Sequence, residues 1–400
     1  MKYFFLTITL LSVSFSQSFQ SVIEKLRSVP AEKRQSIIEP YLNTKKVAPI
    51  IDNDTTVTFV LYGMAKSVAV NGNLQQWMQE VPLDSLHCGP YTLFYKTFTA
   101  PADARLDYQL VIDGKYRTDP QNPHITPSGF GPHSELRMPK FIPSPFRARR
   151  DSVPRGTMDS LAPTLTVMPP LSHYMIAPRP LLVYRPAGYD MLTGLPVIYI
   201  HDGLEAAAYM EIPAMLDNMI HERLLPPMLA VFIPPVHRET EYMGSMMPKY
   251  ADYLALEVVP LIDHLYRTDR YRASRAMAGI SAGGTITVES VLRHPEVFAN
   301  AGIQSGSITT ATYERTRARC ITGTFPQNTR IYMDCGKYDI PFTNAEFGNK
   351  SFLTLHQEYD ALLTQYRIPH YFKVVNDGHE WASWRERFPD MLMYFFGGRR

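Results

Sequence analysis

The sequence predicts a small all-β sandwich followed by a larger α/β domain, built on a mostly parallel sheet with helices on both faces. Three observations predict it. Residues 56–114 hold short runs of β-branched and aromatic residues cut by Gly, Asn, Asp and Pro. From about residue 180 onward, continuous apolar runs alternate with segments at helical spacing, the grammar of a sheet covered on both sides. The 400 residues also exceed what one core usually accommodates, so two domains are the first expectation.

At the N-terminus, "MKYFFLTITLLSVSFSQSFQ" carries one Lys, an apolar run from Tyr3 to about Val13, and then small polar residues. This is the layout of a secretory signal peptide, too short to span a bilayer, and it implies export with a mature start near Gln17 to Gln20. We set the leader at 1–19. Ser21 to Tyr41 reads as a helix or helical pair broken at Pro30. "TVTFVLYG", "SVAVNG", "YTLFYKTF" and "RLDYQLVIDG" then read as strands of a small antiparallel sandwich, so the lead-in and sandwich occupy 20–145. The stretch "PSPFRARRDSVPRGT" lacks periodicity, and 146–170 reads as a linker. Within 171–400, "PLLVY", "LPVIYIH", "PMLAVFI", "SRAMAGI", "ANAGIQSG", "TRIYMD" and "HYFKVV" read as strands separated by helices.

Composition excludes several classes. Forty Lys and Arg against 38 Asp and Glu give a formal charge of +2, no whole-protein signal for nucleic acid or an anionic membrane. No segment reads as a membrane span. Cys88, Cys320 and Cys335 are odd in number and lack metal-site spacing, although Cys320 with Cys335 is a candidate bridge.

"AMAGISAGGT" places Ser281 between a buried strand and a helix, flanked by Gly279 and Gly283. So tight a turn needs neighbours nearly free of side chain, and it presents the hydroxyl at the end of the sheet beside a helix N-terminus. Ser281 is therefore the expected nucleophile of an α/β-hydrolase fold, and it needs a base. His294 ends the following helix, His356 lies inside one, and His370 opens a strand. His379, in "VVNDGHEW", sits in a Gly-containing loop just past the last strand and is the expected base. The acid lies between them, in "RIYMDCGKYDIPF". Asp339 in the loop is preferred over Asp334 in the strand, because it reaches back to the imidazole. The N–H of Ala282, with that of Leu204 after "VIYIHDG", forms the expected oxyanion hole.

These motifs, with "VYRPAGYD", "HRETEY" and Trp384 behind "DGHEW", resemble in order and spacing the enterochelin esterase-like branch of the α/β-hydrolases, whose superfamily also contains feruloyl and acetyl-xylan esterases. "VTFVLYGMAKSVAVNGNLQQW" with "DYQLVIDGKYRTDPQNP" is similar to the immunoglobulin-like domain that often precedes such catalytic domains. The resemblance covers nearly all of the mature chain. It implies Ser281 as nucleophile, His379 as base and Asp339 at the acid's place. It also implies that Arg238 lies near the oxyanion site with Glu241 as its orienting partner. Members that hydrolyse ferric siderophores in the cytoplasm lack a signal peptide, so the leader is a departure from their pattern.

The function expected is a two-step serine esterase needing no metal or organic cofactor, acting on an aryl, catecholate or similar ester. A feruloyl or acetyl-xylan esterase acting on a glycan-linked ester is the alternative. A different class, a glycan-binding protein with a degenerate hydrolase domain, rests on Trp77, Tyr91, Tyr95 and Tyr108 as sugar-stacking rings. Selectivity is assigned to three loops, Leu204 to Tyr209, Val236 to Met247 and Ile308 to Gln327. In the second of these, Met243, Met246 and Met247 stand beside Arg238, Glu241 and Tyr242, the expected substrate-binding side chains. "YERTRARC" is a candidate basic rim.

Overall fold

The structure, a computed structural model, describes residues 18–45, 47–162 and 179–398. The leader reading therefore lies outside the described residues up to Gln17. Ser18 already belongs to the fold: its Oγ accepts from the Ser21 N–H and caps α1 (Phe19–Arg27). α2 (Ala31–Lys45) follows Pro30. Phe19, Val22 and Leu26 of α1 and Ile38 of α2 share an apolar cluster with Val60, Leu93 and Tyr95, so the helix pair covers one outer face of the sandwich.

The sandwich strands are β1 (Ile50–Ile51), β2 (Thr56–Gly63), β3 (Val68–Gly72), β4 (Val81–Pro82), β5 (Asp84–Cys88), β6 (Tyr91–Thr99), β7 (Arg105–Ile112), β8 (Lys115–Arg117), β9 (Ile125–Thr126) and β10 (His133–Arg137). One sheet runs β1-β2-β6-β5, the other β4-β3-β7-β10-β9 with β8 on β7, all pairs antiparallel. Phe59, Leu106, Tyr108 and Leu110 lie in the core between them. Two of the rings expected to stack on sugars, Tyr95 and Tyr108, are buried in apolar clusters instead.

The second sheet system has eight strands: β11 (Thr157–Leu161), β12 (Leu181–Arg185), β13 (Val197–His201), β14 (Leu229–Ile233), β15 (Arg275–Ile280), β16 (Asn300–Gln304), β17 (Arg330–Tyr338) and β18 (His370–Gly378). Their order is β11-β12-β14-β13-β15-β16-β17-β18, parallel from β14 to β18 and antiparallel at the β11-β12 edge. Two apolar clusters fill its two faces. β11 is a difference from the sequence reading, since it lies within the stretch read as linker. Its five residues are exposed or half-buried and carry no apolar run, and their strand state comes from pairing with β12.

The helices on this sheet are α3 (Gly203–Tyr209), α4 (Ile212–His221), α5 (Arg238–Tyr242), α6 (Met247–Tyr253), α7 (Val259–Leu265), α8 (Ala282–Arg293), α9 (Thr310–Ile321), α10 (Phe352–Gln365) and α11 (Trp381–Phe396). The three expected selectivity loops are thus largely helical. Met247 is buried and Met243 and Met246 pack against the same core, so the methionines serve packing. The Arg residues of "YERTRARC" lie on α9, where Arg315 pairs with Glu289 and Arg317 with Glu314.

Glycine is demanded where α8 leaves β15. A Cβ on Gly279 would stand 2.1 Å from the Gly283 carbonyl oxygen and 2.9 Å from its Cα, both backbone atoms that cannot swing away. We expect Gly279→Ala to lower the unfolding free energy by about 1–3 kcal/mol, the usual cost of overpacking. Denaturant titration checks this, and an unchanged midpoint would mean that the turn has slack.

Candidate active site

Ser281 stands between β15 and α8 with φ 49° and ψ −124°, a strained conformation for a side-chain-bearing residue. Its N–H donates to the Gln304 carbonyl at 3.1 Å, and its own carbonyl accepts from Gly284 and Ser307. The turn is therefore tied to β16 and to the chain beyond it, and the half-exposed side chain is left at the carboxyl edge of the sheet. Ala282 opens α8, so its N–H belongs to the first turn, which has no intrahelical acceptor.

At the same edge, two strands along, Asp339 follows β17 and His379 follows β18. His379 Nδ1 lies 2.6 Å from Asp339 Oδ1. Burial opposes the charge on Asp339. The His379 ring, the Ser305 hydroxyl and the Ile340 N–H outweigh it and hold the carboxyl well below the usual range. The His379 ring is wedged edge-on between Trp384, at 4.8 Å between centroids, and Phe352, at 5.3 Å. Trp384 is fixed by its own Nε1–H to Ser305 Oγ, 3.0 Å.

The competing carboxylate, Asp334, is fully buried, 2.9 Å from Arg387 Nε, and accepts from Gln304 Nε2 at 3.0 Å. Cys335 is a free thiol that donates to Asp339 Oδ2 at 3.6 Å, and Cys320 is free as well, so the candidate bridge is absent. Its two cysteines lie on different elements, β17 and α9.

The loop expected to supply the second oxyanion donor is built around Asp202. Its backbone is left-handed (φ 50°), and its N–H donates to Tyr242 Oη at 3.0 Å. Its carboxylate takes a two-pronged bond from Arg238, Nε to Oδ1 at 2.7 Å and Nη2 to Oδ2 at 2.9 Å. Gly203 then opens α3 with its Cα pressed on β14: a Cβ there would stand 2.2 Å from the Ile233 nitrogen. Leu204 is the next residue, in the first turn of α3.

The structure corrects two assignments here. Glu241 does not orient Arg238. It is buried, and both its oxygens accept from Arg179 at 2.8 Å. Tyr242 is fully buried beneath the loop, with its hydroxyl on Asp202, so neither side chain can meet a substrate. Both support the loop from below. Of the three side chains expected to bind substrate, α5 turns Glu241 and Tyr242 inward. Asp202 and Arg179 were missed, because only the fold brings β13, α5 and the chain before β12 together.

The sandwich closes over His379. Gln76 Nε2 donates to the Asp339 carbonyl at 3.3 Å, and Asn376 Nδ2 to Asp103 Oδ1 at 2.7 Å. The Asn73 side chain sits so close to Gly378 that a Cβ there would come within 2.2 Å of it. Between the two sheet systems lies a cavity of about 490 Å³, with Asp339, His379 and Glu380 on one side and Trp77, Met78, Phe130 and His133 on the other. Its described lining holds no Lys or Arg.

Comparison with known proteins follows the same division. A family model described as "Putative esterase" matches residues 172–395. The chain is 26% identical over 182 residues to the uncharacterized protein YbbA of Bacillus subtilis (strain 168), covering 42% of this chain and 71% of that one. It is 30% identical over 138 residues to an endo-1,4-beta-xylanase/feruloyl esterase of Xylanibacter ruminicola, covering 31% of this chain and 19% of that protein. The enterobactin esterase of Shigella flexneri, crystallised in the presence of enterobactin, superposes with a TM-score of 0.71 at 18% identity, over 89% of this chain and 97% of that one.

Beside the oxyanion loop, His201 is buried between the Tyr242 and Tyr250 rings with neither nitrogen hydrogen-bonded. Burial, helped by Arg238 and Arg179, pushes its imidazole down to about 3. The unfolded chain takes a proton there below the ordinary value near 6.5, whereas the folded chain does not. This contribution to stability is therefore present above pH 6.5 and is lost as pH falls toward 3. We expect the parent to lose about 2–3 kcal/mol more than His201→Phe between pH 6.5 and 4.5. Urea titrations at the two pH values measure it, and parallel losses would mean that His201 titrates normally.

Proposed function

The chain belongs to the Putative esterase family and is a carboxylic ester hydrolase, and from that premise we propose that it is a serine esterase acting through Ser281, His379 and Asp339 on an ester of a neutral, hydroxylated aromatic acid. The observation that carries the reading is the 2.6 Å His379–Asp339 bond at the sheet edge where the strained turn presents Ser281. His379 Nε2 takes the Ser281 proton as Oγ bonds the ester carbonyl carbon. The Ala282 and Leu204 N–H groups receive the oxyanion. The alcohol leaves with the proton returned by His379, and water repeats the sequence to release the acid and restore Ser281. Asp339, held ionised, keeps Nδ1 protonated and Nε2 free to act. Arg238 holds Asp202 and with it the oxyanion loop.

The cavity beside His379 supports an aromatic group, since Trp77, Phe130 and Tyr338 offer ring faces. Its described lining carries carboxylates and no Lys or Arg, which disfavours a strongly anionic ferric catecholate and favours a neutral feruloyl-type ester. The feruloyl esterase named in the Xylanibacter relative agrees with that choice. A glycan can then be the leaving alcohol. A purely glycan-binding role is left with little, because Tyr95 and Tyr108 are core residues. Export through the N-terminal leader accompanies this proposal, with the mature chain starting no later than Ser18, since Ser18 and Phe19 belong to the fold.

Assays on methyl ferulate, p-nitrophenyl acetate and a catecholate trilactone, free and iron-loaded, test it. Ser281→Ala should lose at least about 10³-fold on every ester, and Asp339→Asn up to about 10⁴-fold. Asp334→Asn, which unpairs buried Arg387, should lower Tm while the folded fraction keeps its kcat. Full activity in Ser281→Ala would overturn the mechanism. Iron-loaded trilactone as the preferred substrate would overturn the substrate class. Trp77→Ala is expected to reduce kcat/KM for methyl ferulate about tenfold and to leave p-nitrophenyl acetate nearly unchanged. Equal losses on both esters would remove Trp77 from ring recognition.

A further inference from the structure

Asp107 on β7, His133 on β10 and Glu380, the residue after His379, converge from three elements, all three buried. Their ligand atoms lie within 4.8 Å of one another, with His133 Nδ1 at 3.4 Å from Asp107 Oδ2 and 3.7 Å from Glu380 Oε2. The first is a long hydrogen-bond contact and the second lies beyond hydrogen-bond range. Both are close to the edge of a tetrahedron, roughly 3.4 Å, around an ion with bonds of about 2.1 Å.

The tautomer of His133 sharpens the point. Ser128 Oγ donates its one proton to the Gly131 carbonyl at 2.8 Å, so it can only accept from His133 Nε2, 3.4 Å away. With the proton on Nε2, shared with Ser128 Oγ, neutral His133 turns its Nδ1 lone pair toward two carboxylate oxygens, the tautomer a ligating imidazole requires. In that state a cation between the three atoms relieves their mutual repulsion.

A second, independent observation is Glu380 itself. It is 8% exposed, and no described residue donates a hydrogen bond to its carboxylate. The surrounding charge agrees. Asp107, Glu135, Asp377 and Glu380 face Arg105 and Arg137, four carboxylates against two guanidiniums, while Arg387 is held by Asp334 and Arg385 by Glu386. Arg105 holds Asp107 through Oδ1 and leaves Oδ2 for the cluster.

We propose that Asp107 Oδ2, His133 Nδ1 and Glu380 Oε2 form a divalent transition-metal site of the Zn²⁺ type, joining the sandwich to the loop that carries His379. The mixed nitrogen and oxygen donors suit Zn²⁺. His133 Nε2 on Ser128 supplies the outer hydrogen bond that orients a ligating imidazole, and Trp77 stacks on the ring at 4.7 Å. His133 and Glu380 also line the 490 Å³ cavity, so the coordination position left by three protein ligands opens toward solvent or an oxygen of a bound ligand.

The test uses the full chain stripped with a chelator and titrated with ZnCl₂ by calorimetry and thermal shift. One Zn²⁺ per chain is expected, with a rise in Tm and a shift of the His133 ring ¹⁵N resonances. Glu380→Gln and His133→Gln should each weaken binding more than about 100-fold, beyond the roughly 10–100-fold cost of losing an outer partner. The calorimetric readout needs no hydrolysis, so it stands or falls apart from the esterase reading. Absence of stoichiometric Zn²⁺ binding in the parent would overturn the site. Binding that leaves the His133 resonances unmoved, or that both variants retain, would overturn it equally.

Discussion

The arrangement of the site depends on one buried cation. The Arg105 guanidinium is 1% exposed and reaches Glu135 through Nε at 2.6 Å, Asp107 through Nη2 at 2.5 Å, and Asp377 and Ser383 through Nη1 at 3.4 and 3.2 Å. Burial opposes its charge, and the three carboxylates outweigh that penalty. Two partners belong to the sandwich, and two flank His379 on the α/β sheet. Separating the two parts would leave buried charges unpaired, at a cost of about 3–5 kcal/mol for a single broken pair. The loop that carries His379 is thereby tied to the sandwich as well as to its own strand.

A second constraint acts at the opposite side of the edge. The turns carrying Ser281 and Asp202 are both left-handed at a residue with a side chain, and both precede a glycine-packed helix start. Strain of this kind persists only where surroundings over-determine it. Here the surroundings are hydrogen bonds from β16 to the Ser281 turn, and Arg238 and Tyr242 on Asp202. Ser281 and the proposed oxyanion donors are thus set by backbone geometry, and His379 by ring packing and a carboxylate. The two halves meet at the carboxyl ends of the parallel strands, where such sheets place their ligands.

Legibility followed the range of the interactions. Buried strands, the tight serine turn and the loop position of His379 are local patterns, and the structure places those residues where the patterns put them. Preference for Asp339 over Asp334 needed only the distinction between loop and strand. Glu241 and Tyr242 were misplaced because a five-residue helix has too few turns to declare its buried face. β11 was missed because an edge strand formed by pairing needs no apolar run of its own. Arg105, His133 and Glu380 carry no local signature at all, since Asp107 and Glu380 lie 273 positions apart and become neighbours only through docking of the two sheet systems.

By itself, then, the sequence determined the succession of a sandwich and a parallel α/β sheet, the serine on the tight turn, and the loop positions of Asp339 and His379. Each of these is written in periodicity or turn chemistry, over spans short enough for steric rules to dictate the backbone. Only the tertiary structure decided what surrounds them: the roof over His379, the absence of Lys and Arg from the described lining of its cavity, the partner of Arg238, and the meeting of Asp107, His133 and Glu380. Those depend on which surfaces dock and on the pairing of buried charges. Such pairing is a long-range electrostatic and packing outcome that no window of the chain contains.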